Sequence, residues 1–165
     1  MFIRTIVLVA GLSGALGAAQ FPAFSQQYMQ RLGGAVDALA VVVANFDASA
    51  KAVGLSRHDA LAQMTGTPFM ERRRTDMRES IARHEALRDD LAVLEGQGPF
   101  MRAYYAGRFT DPEIARGALK AFEPAFPLTL ATGLFAAFGF VMVGGLAAFL
   151  ASFVRPKPRP HPLPA

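Results

Sequence analysis

The residue types that most often carry catalysis are sparse in this chain and lie far apart. The 3 histidines, His58, His84 and His161, include no pair at metal-ligand spacing. Adjacent Asp89 and Asp90 are predicted to lie on a helix surface rather than to form an acid-base pair. The absence of cysteine excludes disulfides, thiolate catalysis and cysteine-based zinc sites. We therefore predict no catalytic residues, no metal and no cofactor, and expect a protein that is not an enzyme.

Binding chemistry is better represented, by arginine and tyrosine. The run Arg72, Arg73, Arg74 has the charge to bind phosphate or carboxylate groups. Acidic residues at 71, 76 and 79 lie within two helical turns of it, and this pattern favours a solvated helix face instead. Tyr28 and Arg31 lie about one turn apart on a predicted helix. We keep these five residues as candidate contacts with a partner or with lipid, and ordinary surface positions remain the alternative.

Charge and hydropathy divide the chain into three parts. With 52% hydrophobic and 18% charged residues, the composition is too apolar for an ordinary soluble domain. All 13 acidic residues lie between Asp37 and Glu123, and residues 25–123 have no net charge. The formal net charge of +4 comes from the chain ends, from Arg4, Arg155, Lys157 and Arg159. A nucleic-acid-binding protein would carry this charge on its folded domain, so no nucleic-acid partner is predicted.

The stretch from Phe126 to Val154 has the composition of a transmembrane helix. It contains no charged residue, and it exceeds the roughly 20 apolar residues that cross a bilayer. Glu123 precedes it and three cations follow it, so the positive-inside rule places the C-terminus in the cytoplasm. We predict a C-terminal span over residues 124–154, followed by a cytoplasmic tail of alternating proline and basic residues over 155–165.

The N-terminal residues 1–24 have two interpretations. Behind Arg4, the chain is uncharged from Thr5 through Phe24, which is about the length of a span. The small residues before Gln20 also resemble the cleavage site of a secretory signal, which would remove residues 1–19. We favour an uncleaved span. Both interpretations place residues 25–123 outside the cytoplasm.

Both predicted spans carry small residues at helical spacing: Ala10, Gly14 and Ala18 in the first, and Gly144, Ala148 and Ser152 in the second. Small residues four positions apart allow helix backbones to approach closely within lipid. They would pack the two spans together or pair copies of the protein. The alternative is that glycine and alanine are simply common in spans.

Residues 25–123 are predicted to fold as an antiparallel helical hairpin. Apolar residues recur at steps of three and four from Met29 to Val53, and a second stripe runs from Met70 to Leu94. The fold class is therefore all-α, with two transmembrane helices flanking an extracytoplasmic, coiled-coil-like hairpin.

Local signals predict the ends of these helices. Gly54 ends the first long helix, Ser56 opens a short helix over 57–64, and Thr67 before a proline opens the second long helix. A last helix is predicted from Pro112, with Thr110 as its N-cap.

The chain resembles a bacterial family of small two-span helical membrane proteins known only as a domain of unknown function. The resemblance rests on the segment FPAFSQQYMQRLGGAVD at residues 21–37, on Gly54 and Leu55, on Phe69 and Arg72, and on the closing apolar span. It implies a membrane protein with two spans. It implies no reaction and no functional residues.

We therefore expect a protein of the bacterial inner membrane with both termini in the cytoplasm and the hairpin in the periplasm. Its partners would be membrane lipid and either its own copies or another membrane or periplasmic protein. The alternative is a protein that binds or handles lipids or envelope precursors, with or without enzymatic activity, through Arg31 or the run from Arg72 to Arg74.

Overall fold

The computed structural model describes residues 2–124 and 129–154, and within these ranges the chain is helical and contains no strand. The helices in order are α1 (Phe2–Ala19), α2 (Phe21–Ala52), α3 (Arg57–Gln63), α4 (Pro68–Leu94), α5 (Pro99–Tyr104), a 3-10 turn (Ala106–Arg108), α6 (Pro112–Lys120) and α7 (Leu130–Val154). The all-α prediction is confirmed. The predicted tail of residues 155–165 lies outside the described residues.

The described residues form two compact units. One contains α1 and α7, which we call the helix pair, and the other is Phe24–Glu123, which we call the central unit. The boundaries follow the change in composition, because Arg4 is the one charged residue in the two helices of the pair and all acidic residues lie in the central unit.

Glycines bring the backbones of α1 and α7 into contact. A Cβ placed on Gly14 would lie 2.5 Å from the carbonyl oxygen of Gly139, and one placed on Gly144 would lie 3.3 Å from the Cα of Gly11. Any side chain at Gly14 would therefore overlap backbone atoms, which cannot rotate away. The prediction that small residues pack the two spans is supported at Gly14, Ala18 and Gly144, whereas Gly11 and Gly139 were not singled out from the sequence.

Both members of the helix pair are candidate membrane spans. The apolar stretch that begins at Ile3 and the stretch Leu130–Phe153 are long and apolar enough to cross a bilayer. In each of them, only 11% of an apolar segment of 18 residues is buried within the structure. A core helix of a soluble protein would bury most of such a surface, so the two helices leave their apolar side chains for another environment to cover.

Two core clusters join α2 to α4 in the central unit. The smaller core cluster contains Val43 of α2, Leu61 of α3 and Ile81 of α4. The larger core cluster combines the beginning of α2, the end of α4 and α6, through Tyr28, Met29, Leu32, Val36, Leu87, Leu94, Ile114 and Ala118. From the smaller to the larger cluster, residue numbers fall along α2 and rise along α4. Five of the seven buried residues of α2 belong to the predicted seam, and the other two, Ser25 and Tyr28, precede it. Val53, the last residue of the predicted seam, is 71% exposed.

Most predicted helix ends are confirmed. Gly54 has a φ of 76° at the end of α2, a conformation that favours glycine. The Ser56 hydroxyl accepts a hydrogen bond from the N–H of Asp59, and the Thr67 hydroxyl accepts one from the N–H of Met70. These three signals are local, so the sequence alone specified them.

The predicted cap of α6 is wrong. Asp111, not Thr110, is the N-cap, and its carboxylate accepts hydrogen bonds from the N–H groups of Glu113 and Ile114. Both residue types can cap a helix. The Thr110 hydroxyl instead donates to the carboxylate of Asp90. This tertiary contact leaves Asp111 as the residue that caps the helix.

Candidate functional site

Tyr28, one of the candidate contact residues, lies inside the larger core cluster. Its exposure is 0%, and its ring centroid is 4.4 Å from that of Phe109. Its hydroxyl lies near Asp90 and the backbone of Asp111, yet it forms no hydrogen bond of good geometry within the described residues. Tyr28 therefore contributes to the interior of the central unit and presents no surface to a partner.

Asp90 of α4 binds the segment that follows α5. The residue is 4% exposed, and its carboxylate accepts hydrogen bonds from the Thr110 hydroxyl at 2.6 Å and from the Arg108 guanidinium at 3.2 Å. Buried carboxylates are tolerated when they are paired in this way. The prediction of Asp90 as a surface residue is wrong, because the chain beyond α5 folds back over that face of α4.

Replacing Asp90 with alanine is expected to destabilise the central unit by about 2 kcal/mol, because hydrogen bonds to a charged group are lost and Thr110 loses its partner. Asp89→Ala is the matched control, since the Asp89 side chain is 68% exposed, and a shift within about 0.5 kcal/mol is expected there. Thermal unfolding of the full chain in mild detergent, followed by circular dichroism, measures both. Equal effects of the two replacements would contradict the assigned role of Asp90.

Arg83 connects α4 to the first turn of α6. Its guanidinium donates to the Asp111 carboxylate at 3.0 Å and to the Glu113 carboxylate at 2.8 Å. Burial alone would raise the pKa of Asp111, but the N–H of Ile114, the charge of Arg83 and the N–H of Glu113 together hold that pKa below its ordinary value of 3.8. The charged form of Asp111 is therefore part of the folded structure.

This shift predicts a stability that depends on pH. Because the pKa of Asp111 is lower in the folded chain, its contribution is complete above 3.8, the value for the unfolded chain, and disappears as the pH falls through the folded pKa. Asp111→Asn should remove about 1 kcal/mol at pH 7 and reduce the further loss below pH 4. Unfolding midpoints of both proteins between pH 7 and pH 2.5 measure this. Parallel pH curves would contradict the assignment.

Arg31, the second candidate contact residue, lies against α6. A Cβ placed on Gly117 would lie 2.9 Å from Nη1 of Arg31, so the guanidinium occupies the space that the missing side chain leaves. Gly117 is in the last turn of α6, where the free carbonyl groups of a helix end favour a cation. Gln27 adds a hydrogen bond to the carbonyl of Ala121 at 3.4 Å. Arg31 thus helps to hold α6 on α2 while its outer side stays exposed.

A groove of about 460 Å³ runs along α2 at Gly33 and Gly34. A Cβ on either glycine would meet nothing within 4 Å, so the missing side chains leave space for the groove, at a cost of about 1 kcal/mol per helical glycine relative to alanine. Arg102 donates to the Gln26 side chain at 2.7 Å, and its buried Nε has no partner within the described residues. The other polar lining residues are Gln30, Asp37 and Glu95. The lining of the groove therefore combines one arginine with two acidic residues.

The arginine run from Arg72 to Arg74 lies elsewhere in the central unit. Arg72 pairs with Asp76 at 3.2 Å, and Arg73 approaches the same carboxylate at 3.9 Å. Neighbouring Met77 packs on the smaller core cluster, whereas Tyr28 belongs to the larger one. The structure therefore does not bring the arginine run together with Tyr28 and Arg31.

The side of α2 opposite its core contacts is exposed and apolar. We call it the outer face of α2, and it consists of Gly34, Ala38, Val41, Asn45, Ala48 and Ala52, all exposed. Val41 is 60% exposed and the adjacent Val42 is 42% exposed. The residues buried on the other side include Val36, Val43 and Ala50. Helix α2 thus has two apolar faces, and only one of them is covered within the chain.

The sequence analysis missed the outer face. It identified one heptad seam and took the rest of α2 as polar, because Asp37, Asn45 and Lys51 lie off that seam. The overlooked signal was a second series of steps of three and four, made of alanine, glycine and valine with one asparagine, Asn45. Small side chains contribute little to a hydrophobic pattern, so the stronger seam concealed it.

Neither a metal site nor an annotated relative guides the assignment further. Among the residues that the structure describes, no group of three or more histidine, aspartate or glutamate side chains is placed to hold a metal ion. A family model described as "Protein of unknown function (DUF2937)" matches residues 2–159. Comparison with curated proteins and with solved structures gives no match.

Proposed function

We propose that this chain, which belongs to the family described as "Protein of unknown function (DUF2937)", is a membrane-anchored assembly protein without enzymatic activity. The predicted resemblance to a family of unknown function is confirmed by this match, which covers nearly the whole chain. In this proposal α1 and α7 span the bacterial inner membrane, and the central unit binds another protein chain in the periplasm.

The proposed anchoring is supported by the helix pair. Both helices are long and apolar enough to cross a bilayer, and both leave most of their apolar surface uncovered. The cations Arg4, Arg155, Lys157 and Arg159 flank the two spans, and the positive-inside rule then places both termini in the cytoplasm. The last three of these lie outside the described residues.

The close contact between α1 and α7 also supports an uncleaved N-terminus. Gly14 and Gly139 meet through backbone atoms, and lipid-exposed helices pair through such contacts. Cleavage after Ala19 would remove α1 and leave the glycines of α7 without a helix to pack against. We therefore propose that α1 remains as a span, rather than being removed as a signal peptide.

We further propose that the central unit is an antiparallel hairpin of α2 and α4 with coiled-coil-like packing. The opposite residue order in the two core clusters supports this arrangement, because Val43 clusters with Ile81 whereas Leu32 clusters with Leu94. The heptad spacing of the buried α2 residues supports it as well. Residues 97–122 then close the open end of the hairpin through α6.

The observation that carries the assembly proposal is the outer face of α2. An exposed apolar face on a charged, otherwise solvated unit is typical of a protein-protein interface.

Three measurements test the proposal. A reporter fused at Gly66, in the turn before α4, should be active in the periplasm only, and carbonate washing should leave the full chain in the membrane. Crosslinking in native membranes should then trap the central unit with another protein chain. A soluble chain, or a cytoplasmic reporter signal, would contradict the anchoring, and a strictly monomeric protein without a crosslinked partner would contradict assembly.

The alternative function, binding of lipids or envelope precursors, has one supporting observation. The groove beside Gly33 and Gly34 is lined by Arg102, whose guanidinium donates to Gln26, and a guanidinium can bind a carboxylate or phosphate group. The arginines first considered for this role are less suitable, since Arg72 is paired with Asp76 and Arg31 lies against α6. Replacing Arg102 with methionine should reduce the lipid that co-purifies if this alternative is correct, and an unchanged lipid content would remove it.

A further inference from the structure

We propose that the outer face of α2 pairs in antiparallel orientation with the same face of a second copy of this chain. The inference rests on the proposed assembly function and names the partner. The face extends from Gly34 to Ala52, so it is about 27 Å long at 1.5 Å per residue. It contains no charged side chain along this length. Its partner must therefore be an apolar surface that is straight over the same distance.

The side chains of the outer face favour a helix as that partner. Four of its six residues are glycine or alanine, and residues of this size allow two helix backbones to approach more closely than leucine or phenylalanine would. The six residues alternate steps of four and three, which is the spacing of a two-helix seam. Residues Val36, Val43 and Ala50 lie on the opposite side of the helix and are buried, so a second helix can approach without disturbing the core.

Charges beside the face identify the partner as a second copy. Asp37 and Lys51 flank the seam on the same side, two heptads apart, and neither forms an ion pair within the described part of the chain. Residues 37, 44 and 51 occupy the same flanking position in successive heptads. In an antiparallel pair, this position of one helix lies beside the same position of the other helix, and the order of the heptads is reversed. Asp37 of each copy then lies beside Lys51 of the other, and Ala44 lies at the centre. Each copy thus supplies the acid of one ion pair and the base of the other.

The seam residues fit the same register. Antiparallel pairing about Val43 places Gly34 opposite Ala52, Ala38 opposite Ala48, and Val41 opposite Asn45. The two asparagines then lie near the centre, where a single polar residue in an apolar seam disfavours slipped registers. Parallel pairing would place Asp37 beside Val42 and would leave both charges without a partner. Charge complementarity therefore selects the antiparallel arrangement.

This arrangement separates the two anchors. The Phe24 ends of the paired helices point away from each other, so pairing through α2 requires no contact between the candidate spans of the two copies. Pairing through the glycines of α1 and α7 would predict the opposite, with the spans of the two copies in contact.

Disulfide trapping tests the register, because the chain has no cysteine of its own. Ala38→Cys and Ala48→Cys are introduced into separate, differently tagged copies of the full chain, which are expressed together and oxidised in membranes. A disulfide between the two tags is expected, and neither variant alone should form one, because each cysteine would lie about 15 Å from its own equivalent. A disulfide formed by Ala38→Cys alone would overturn the proposal in favour of parallel pairing.

Charge reversal tests the complementarity independently. Asp37→Lys or Lys51→Asp alone should weaken dimerisation about tenfold, since each creates like charges at both ends of the pair. The double variant Asp37→Lys with Lys51→Asp should restore it. Arg116→Glu, an exposed charge on α6, is the control and should change nothing. Single reversals without effect, or a double variant that stays monomeric, would overturn the proposal.

The two proposals fail in different ways. If the chain is inserted in membranes but shows no disulfide between the tags, the self-pairing is overturned and assembly with a different protein remains. If the chain does not resist carbonate washing, the proposed function itself is overturned. Membrane fractionation is therefore performed on every sample before the disulfides are analysed.

Discussion

Gly139→Val is expected to separate α1 from α7 in the full chain. A Cβ at this position would overlap the carbonyl oxygen of Gly14 and would lie 2.6 Å from the Cβ of Ala18. The overlap involves backbone atoms, so the helices must move apart along their whole contact. Overpacking of this kind typically costs about 1–3 kcal/mol, and we expect the upper end because no side-chain rotation relieves it.

The effect can be measured by energy transfer between dyes on cysteines introduced at Val9 and Met142, whose side chains are 57% and 56% exposed. Titration with SDS in mixed micelles should separate the helices of Gly139→Val at a lower SDS fraction than those of the parent chain. Gly145→Val is the matched control, because a Cβ at Gly145 would meet nothing within 4 Å. If the two valine variants separate at the same SDS fraction, the contact between α1 and α7 does not depend on glycine.

Leu32→Ala should give the largest loss of stability in the central unit. Leu32 has an exposure of 0% and lies in the larger core cluster between α2, α4 and α6. Truncating a leucine in such a site costs about 2–5 kcal/mol, because the transfer free energy is lost and a cavity remains. The unfolding midpoint should fall by about 10 °C or more, given the size of the unit.

Leu119→Ala is the control for this replacement, since Leu119 is 60% exposed and its truncation should change the free energy of unfolding by about 0.5 kcal/mol or less. Thermal unfolding of both full-length variants in the same detergent, monitored by circular dichroism, gives the comparison. A Leu32→Ala protein as stable as the Leu119→Ala protein would mean that α2 is not packed in the core described above.

Much of this fold follows from local sequence signals. The starts of α3 and α4 come from Ser56 and from Thr67 before its proline, and each signal acts within three residues of itself. The buried seam of α2 follows from spacing alone. The apolar character of α1 and α7 follows from composition. None of these required knowledge of which helices meet.

The errors concern contacts between segments far apart in the chain. The sequence predicts Asp90 on the surface of a long helix, but Arg108 and Thr110 bind its carboxylate in the structure. Thr110 was assigned as the cap of α6 because it has the right spacing to Glu113, yet Asp111 caps the helix while Thr110 serves Asp90. In each case the local sequence suits two neighbouring residues equally well, and a contact with a distant segment determines which of them takes the role.

The candidate contact residues show the same limit. Tyr28 and Arg31 are close on one helix, as predicted, but the former faces the interior and the latter faces α6. The sequence could place both on α2. It could not predict what covers each of them, because that depends on α6, which returns to α2 from the other end of the central unit.

That return has a consequence for biogenesis. The larger core cluster combines Tyr28 and Leu32, shortly after the first candidate span, with Ile114 and Ala118, shortly before the second. If the chain is exported from its N-terminus onward, as the proposed topology requires, this cluster can close only after Ala118 has been translocated. A nascent chain stalled after Leu94 could close the smaller core cluster, but it would leave Tyr28 and Leu32 without α6 and open to envelope proteases. A chain that lacks only α7 would already be able to bury them.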